Sequence, residues 1–221
     1  MSRVTLVFCL VALLSGCGYR PGTPLEAAAA RGDIPALERL LTAGSGLELH
    51  NDAGTNSLIA AARFGQVDAM KLLIEHGAPL DQTAGVNGWT PLMHAVHKAQ
   101  NGAIACLLEA GADAKAQDSN ALTMAAGYGN ADAVRLLLAH GADPHAVLPD
   151  GNTALIAAVG SVWDIDYRWP GCGPHTEVVQ ALLQSAPDLT LPDTEAGRSA
   201  YAFARRKDCK QMLALVRAPQ S

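Results

Sequence analysis

Four stretches of 22 residues repeat one another without a gap, and this self-similarity constrains the fold more than any other feature of the chain. TPLEAAAARGDIPALERLLTAG begins at Thr23, NSLIAAARFGQVDAMKLLIEHG at Asn56, TPLMHAVHKAQNGAIACLLEAG at Thr90 and NALTMAAGYGNADAVRLLLAHG at Asn120. Each ends on a glycine: Gly44, Gly77, Gly111 and Gly141. A fifth copy opens TALIAAV at Thr153 and resumes at HTEVVQALLQSAPD, and a degenerate sixth, SAYAFARRKDCKQMLALVR, opens at Ser199. Units this short cannot bury an apolar face alone, so neighbours must stack and share one continuous core.

The residues at each register position agree with that reading. Thr23, Asn56, Thr90, Asn120, Thr153 and Ser199 open the six copies, and each side chain can accept from a free N–H at a helix start. Pro24 and Pro91 follow two of these caps, where a missing N–H costs nothing. The four terminal glycines stand where a second helix should end in a left-handed residue. Small pairs such as Ala61/Ala62 allow close helix contact, and leucine pairs such as Leu72/Leu73 and Leu107/Leu108 supply bulk. Helices of eight to ten residues are marginal alone, so stacking must hold them.

These residues resemble the ankyrin repeat, whose pattern is T-P-L-H-x-A-A, a central glycine, V-x-L-L-L and then G-A-D. The resemblance covers residues 23–217 and implies an all-α solenoid of about six helix-turn-helix repeats joined by short hairpin fingers. Repeat starts are separated by 33, 34, 30, 33 and 46 residues. The interval of 30 contains GADAKAQDSNAL, which lacks the usual finger glycine, so the finger before Asn120 is expected to be stunted. The interval of 46 holds an insertion of about 12 residues between the two helices of repeat five, about 161–173. It should project from the edge away from the fingers.

The N-terminus sets the expected compartment. Arg3 precedes an apolar run, Val4 to Leu14, which is short for a membrane span and suits a secretory signal. Leu14-Ser15-Gly16-Cys17 resembles the lipobox of bacterial lipoproteins. That resemblance implies removal of residues 1–16, lipidation of Cys17 and, with Gly18 in place of an aspartate, an outer-membrane anchor facing the periplasm. Residues 17–22 would form a short tether, holding the domain within roughly 20 Å of the bilayer at about 3.5 Å per residue. Residues 218–221 read as a tail. The net charge is −5; without Arg3 the balance is 15 basic against 21 acidic residues. An acidic chain gives no support to nucleic-acid binding. Membrane contact is expected through the lipid alone.

The insertion VWDIDYRWPGCGPH invites a search for chemistry. Cys172 to His175 reads C-G-P-H, similar to a thioredoxin-type motif with its second cysteine replaced, and one sulfur cannot form the needed dithiol. Asp164, Asp166 and His175 make a weak metal set, since a D-x-D pair in a loop is ordinarily solvated. His94 and His97 have helical ligand spacing but no third ligand, and read as surface positions. His76 and His140 precede capping glycines and suit helix C-termini. The sequence shows no nucleophile with a base and no phosphate-binding glycine loop. No enzyme, cofactor or metal is expected.

Cys9 leaves with the signal and Cys17 carries lipid, so Cys106, Cys172 and Cys209 would meet an oxidising periplasm. Cys106 takes a packing position in a second helix and should be buried. Cys209 falls at the helix turn of repeat six, on the edge from which the insertion emerges. A Cys172–Cys209 disulfide is therefore expected, worth about 3 to 4 kcal/mol in the chain-entropy model.

The ankyrin resemblance also implies binding positions: finger tips and the two residues before each central glycine. Carried over one by one, these select Ala30/Arg31, Arg63/Phe64, His97/Lys98, Gly127/Tyr128 and Arg206/Lys207, with Trp89 on a finger. Trp163, Tyr167 and Trp169 of the insertion form a second candidate contact. Arginine and large aromatics are common interface anchors. The resemblance thus implies a non-catalytic, lipid-anchored periplasmic module whose concave face receives an acidic or mixed segment of another protein. Such a module suits an immunity protein that neutralises a secreted antibacterial toxin. It also suits an envelope scaffold or an oxidative-stress accessory protein.

Overall fold

The computed structural model describes residues 22–47, 54–83, 88–160, 173–190, 198, 201–202, 204–205 and 210–216. The helices are α1 (Pro24–Arg31), α2 (Ile34–Thr42), α3 (Ser57–Arg63), α4 (Val67–Glu75), α5 (Pro91–His97), α6 (Asn101–Glu109), α7 (Ala116–Gly127), α8 (Ala131–Ala139), α9 (Ala154–Gly160), α10 (Gly173–Ser185) and α11 (Lys210–Leu215). They pair within repeats and stack between them. The first helices form one row, α1 on α3 on α5 on α7 on α9, and the second helices form another, α2 on α4 on α6 on α8 on α10. The solenoid is all-α, as the resemblance implied.

The caps explain why such short segments become helices. Thr23 Oγ1 accepts from the Glu26 N–H at 3.0 Å, Asn56 Oδ1 from Ile59 at 2.9 Å, Thr90 Oγ1 from Met93 at 3.3 Å and Thr153 Oγ1 from Ile156 at 3.1 Å. Gly44, Gly77, Gly111 and Gly141 end the second helices with φ of 81°, 87°, 97° and 88°. Between the rows lies an unbroken core. Leu37, Met70, Leu73, Ile104, Leu107 and Leu137 are fully buried on the second helices, against alanines such as Ala29, Ala61, Ala62, Ala95 and Ala125 on the first.

Asn120 departs from expectation. It lies inside α7 rather than at its cap, because the helical span begins at Ala116 after Lys115, which makes no side-chain cap bond. Gln117 has a φ of 53°, so the left-handed step falls early in the span. The connection is three residues shorter than a 33-residue interval allows, too short for a hairpin, and helical residues fill the gap. The stunted finger itself is therefore observed.

α9 ends at Gly160 and α10 begins at Gly173, whereas other turns within a repeat take only two or three residues. The insertion therefore falls in sequence between the two helices of repeat five. Residues 161–172 lie outside the described residues, and so do Cys17, Asp164, Asp166, Ser199 and the proposed Cys172–Cys209 pair. Cys106 is buried with a free thiol, and burial pushes its pKa up.

Candidate functional site

The turn at the end of each first helix needs a left-handed residue, which Gly32, Gly65 and Gly129 supply in repeats one, two and four with φ of 66°, 68° and 71°. Repeat three uses Ala99, with φ 53°. The side chain that follows the central residue explains the difference. Gln66 and Gln100 lie over Gly32 and Gly65 so closely that a Cβ there would collide with their amides. Repeat four offers the shorter Asn130, which instead donates to Asn101 Oδ1 at 2.8 Å. A methyl group at position 99 is thus met by a shorter neighbour.

Just before these turns stands the most concentrated aromatic and cationic group among the described residues. α5 presents His94 and His97 on one face, three residues apart. Trp89 reaches both from the adjoining finger, which Gln117 holds through a bond from its amide to the Gly88 carbonyl. The Trp89 ring meets His94 edge-on at 5.5 Å and 67°, and His97 at 5.2 Å and 56°. His97 in turn meets Tyr128 of the next repeat at 5.6 Å, with 2.9 Å between Nδ1 and the Tyr128 hydroxyl. Repeats three and four are therefore joined by a run of rings.

Electrostatics keep both imidazoles neutral near pH 7. Burial, helped by the positive fields of Arg63, His97 and Lys98, lowers His94 from 6.5 to about 4. Burial, then Lys98 and Arg63, lowers His97 as well. Burial raises the Tyr128 pKa, so its phenol stays protonated. The Nδ1 atom of His94 is sealed from solvent with no hydrogen-bond partner. His94 is therefore half-buried packing rather than the surface position read from sequence. Its clue was Trp89, five residues earlier on the finger.

The remaining sequence-selected residues fall at different places. Arg31 is exposed at the end of α1, two repeats from the cluster, and Ala30 is half-buried. Arg63, Phe64 and Lys98 are half-buried at the ends of α3 and α5, and Gly127 is buried beside Tyr128. Trp163, Tyr167, Trp169, Arg206 and Lys207 lie outside the described residues. His175, considered with the loop aspartates, is only 3% exposed, at the register of Asn130 in the repeat before. His76 Nδ1 lies 2.9 Å from the Leu72 carbonyl, as its place at a helix end suggested. No group of three or more metal-ligating side chains occurs among the described residues.

Acidic residues are scarce in most first helices and mixed with bases elsewhere, where Arg39, Lys71, Lys115 and Arg135 are exposed. In α1, α3, α5 and α9 the sole acidic residue is Glu26, which is wholly buried and accepts from the Gly22 N–H at 2.7 Å. Exposed carboxylates sit on the fingers, at Asp81, Asp113, Asp143 and Asp150, and on the second helices, at Asp68 and Asp132. The Trp89 cluster is half-buried, and the positive fields of Arg63 and Lys98 reach its two histidines.

A family model described as ankyrin repeats (three copies) matches residues 25–118 and 97–193, most of the chain. The chain belongs to the ankyrin-repeat family. An ankyrin repeat-containing protein of Treponema pallidum (strain Nichols) is 36% identical over 117 residues, covering 52% of this chain and 39% of that protein. The B-cell lymphoma 3 protein homolog of Mus musculus is 36% identical over 129 residues, covering 57% of this chain and 29% of that protein. The chain therefore spans less than half the length of these curated relatives. A crystal structure of an ankyrin repeat domain from Acinetobacter baumannii AYE matches with a TM-score of 0.72 at 26% identity, covering 87% of this chain and 95% of the other. Ankyrin repeats are protein–protein interaction modules, and this chain is built as one. No helix among the described residues is long and apolar enough to cross a membrane.

Proposed function

We propose that this ankyrin-repeat protein is a non-catalytic module, anchored at the periplasmic side of the outer membrane through lipid on Cys17. It captures an acidic or mixed segment of another protein. The supporting observation is the basic and aromatic Trp89 cluster on α5 beside α3, two helices that carry no acidic residue, within a chain of net charge −5. Arg63, Phe64 and Lys98 beside it, and Arg31 two repeats away, would extend the contact line on the concave face; Arg206, Lys207 and the insertion residues Trp163, Tyr167 and Trp169 would add to it.

The test is crosslinked capture from membranes with the wild type and an Arg63→Ala/Phe64→Ala/Trp89→Ala variant, with circular dichroism to verify folding. Loss of the captured protein from a folded variant supports the reading, and unchanged capture overturns it. The identity of that protein separates an immunity role, marked by a toxin, from an envelope scaffold or stress accessory role. Partitioning of a Cys17→Ala variant into the soluble fraction tests the anchor.

A further inference from the structure

The geometry around His97 carries the interaction reading one step further. Its Nδ1 is taken by the Tyr128 hydroxyl at 2.9 Å, and no described residue bonds Nε2. The hydroxyl can turn: O–H donates to Nδ1 when the imidazole is neutral, and the oxygen accepts from Nδ1–H when it is protonated. In both states Nε2–H is available to a ligand. No described carboxylate lies within ion-pair distance of Lys98. Two cations whose fields reach His97 and an N–H donor on that ring, itself packed on Trp89, thus lie in one patch.

We propose that the patch formed by Arg63, Trp89, His97, Lys98 and Tyr128 binds a side-chain carboxylate of an acidic peptide segment and takes up a proton at His97 as it does so. This step rests on the protein-binding reading above. The groups that face His97 are Arg63 from α3, Tyr128 from the end of α7, and His94 and Lys98 on its own element; α6 brings no charge to it. A carboxylate seated here offsets the positive field of Arg63 and Lys98 that keeps the imidazole neutral, and the proton follows. A peptide is favoured over nucleic acid because ankyrin repeats are protein–protein interaction modules.

The experiment uses the full-length chain in detergent and synthetic hexaglutamate as the probe, with calorimetry at pH 8 and pH 6 and histidine-detected NMR. Hexaglutamate should bind at least about threefold tighter at pH 6 than at pH 8, and the His97 pKa should rise when it binds. His97→Gln should lose the pH dependence, binding hexaglutamate no more tightly at pH 6 than at pH 8. Should that variant fail to fold, Tyr128→Phe is the second probe, and it should shift the midpoint of the pH dependence. Absence of hexaglutamate binding, a pH dependence that survives His97→Gln, or an unmoved midpoint in Tyr128→Phe overturns the proposal. So does equal binding of a single-stranded oligonucleotide or of phosphatidylglycerol vesicles, which would make phosphate the ligand. Each of these failures leaves partner capture in the membrane experiment intact, so the two readings fail separately.

Discussion

Ala99 is the residue at which local backbone preference and the repeat disagree. A non-glycine residue at φ 53° costs roughly 1 kcal/mol relative to glycine. Ala99→Gly should therefore raise stability by about 0.5 to 1 kcal/mol, read as a higher urea midpoint with an unchanged slope. A second mismatch is Ser57, whose hydroxyl is buried with no hydrogen-bond partner at a position where two other repeats place Ala121 and Ala154. Ser57→Ala should be neutral or stabilising by up to about 1 kcal/mol in the same assay, because it removes an unmet polar group and almost no volume. His94 adds a pH dependence. Its folded pKa lies below its unfolded value, so its stabilising contribution is complete above about pH 6.5 and is lost as pH falls through about 4. Discounted for partial exposure, the loss is about 2 kcal/mol. Thermal melts from pH 7 to pH 4 should fall less steeply in His94→Gln than in the wild type.

At the scale of the element, capping chemistry decides where helices begin. Thr23, Asn56, Thr90 and Thr153 were legible as caps because threonine or asparagine stands at a fixed distance before each apolar run. Thr90→Ala should cost about 1 kcal/mol, measured by chemical denaturation, and should loosen the start of α5 in hydrogen exchange. Asn120 looked like the same signal and is not one. Three residues missing from the connection change the local geometry, and a cap pattern read in isolation cannot register a shortened loop. The His94–Trp89–His97–Tyr128 arrangement was legible only in part. Trp89, His97 and Tyr128 followed from the register of known binding positions, whereas burial of His94 depends on how the finger folds back over α5. That placement rests on a bond between Gln117 and Gly88, 29 residues apart, and no local periodicity encodes it.

The whole molecule is a one-dimensional stack in which each helix touches neighbours in its own and adjacent repeats. Its stability is shared along the array, while its surface divides into a second-helix row of mixed charge, with Arg39, Lys71 and Arg135 among its carboxylates, and a basic, aromatic line at the ends of the first helices. A binding surface of this kind should depend on side, with partner contact confined to the face that carries Lys98 and absent from the second-helix row that carries the exposed Lys71. The most direct measurement places a photo-crosslinking amino acid at position 98 or at position 71 in the membrane-bound protein and compares the products. The account predicts a discrete partner crosslink from position 98 and none from position 71. Equal crosslinking from both, or a product from position 71 alone, would contradict it.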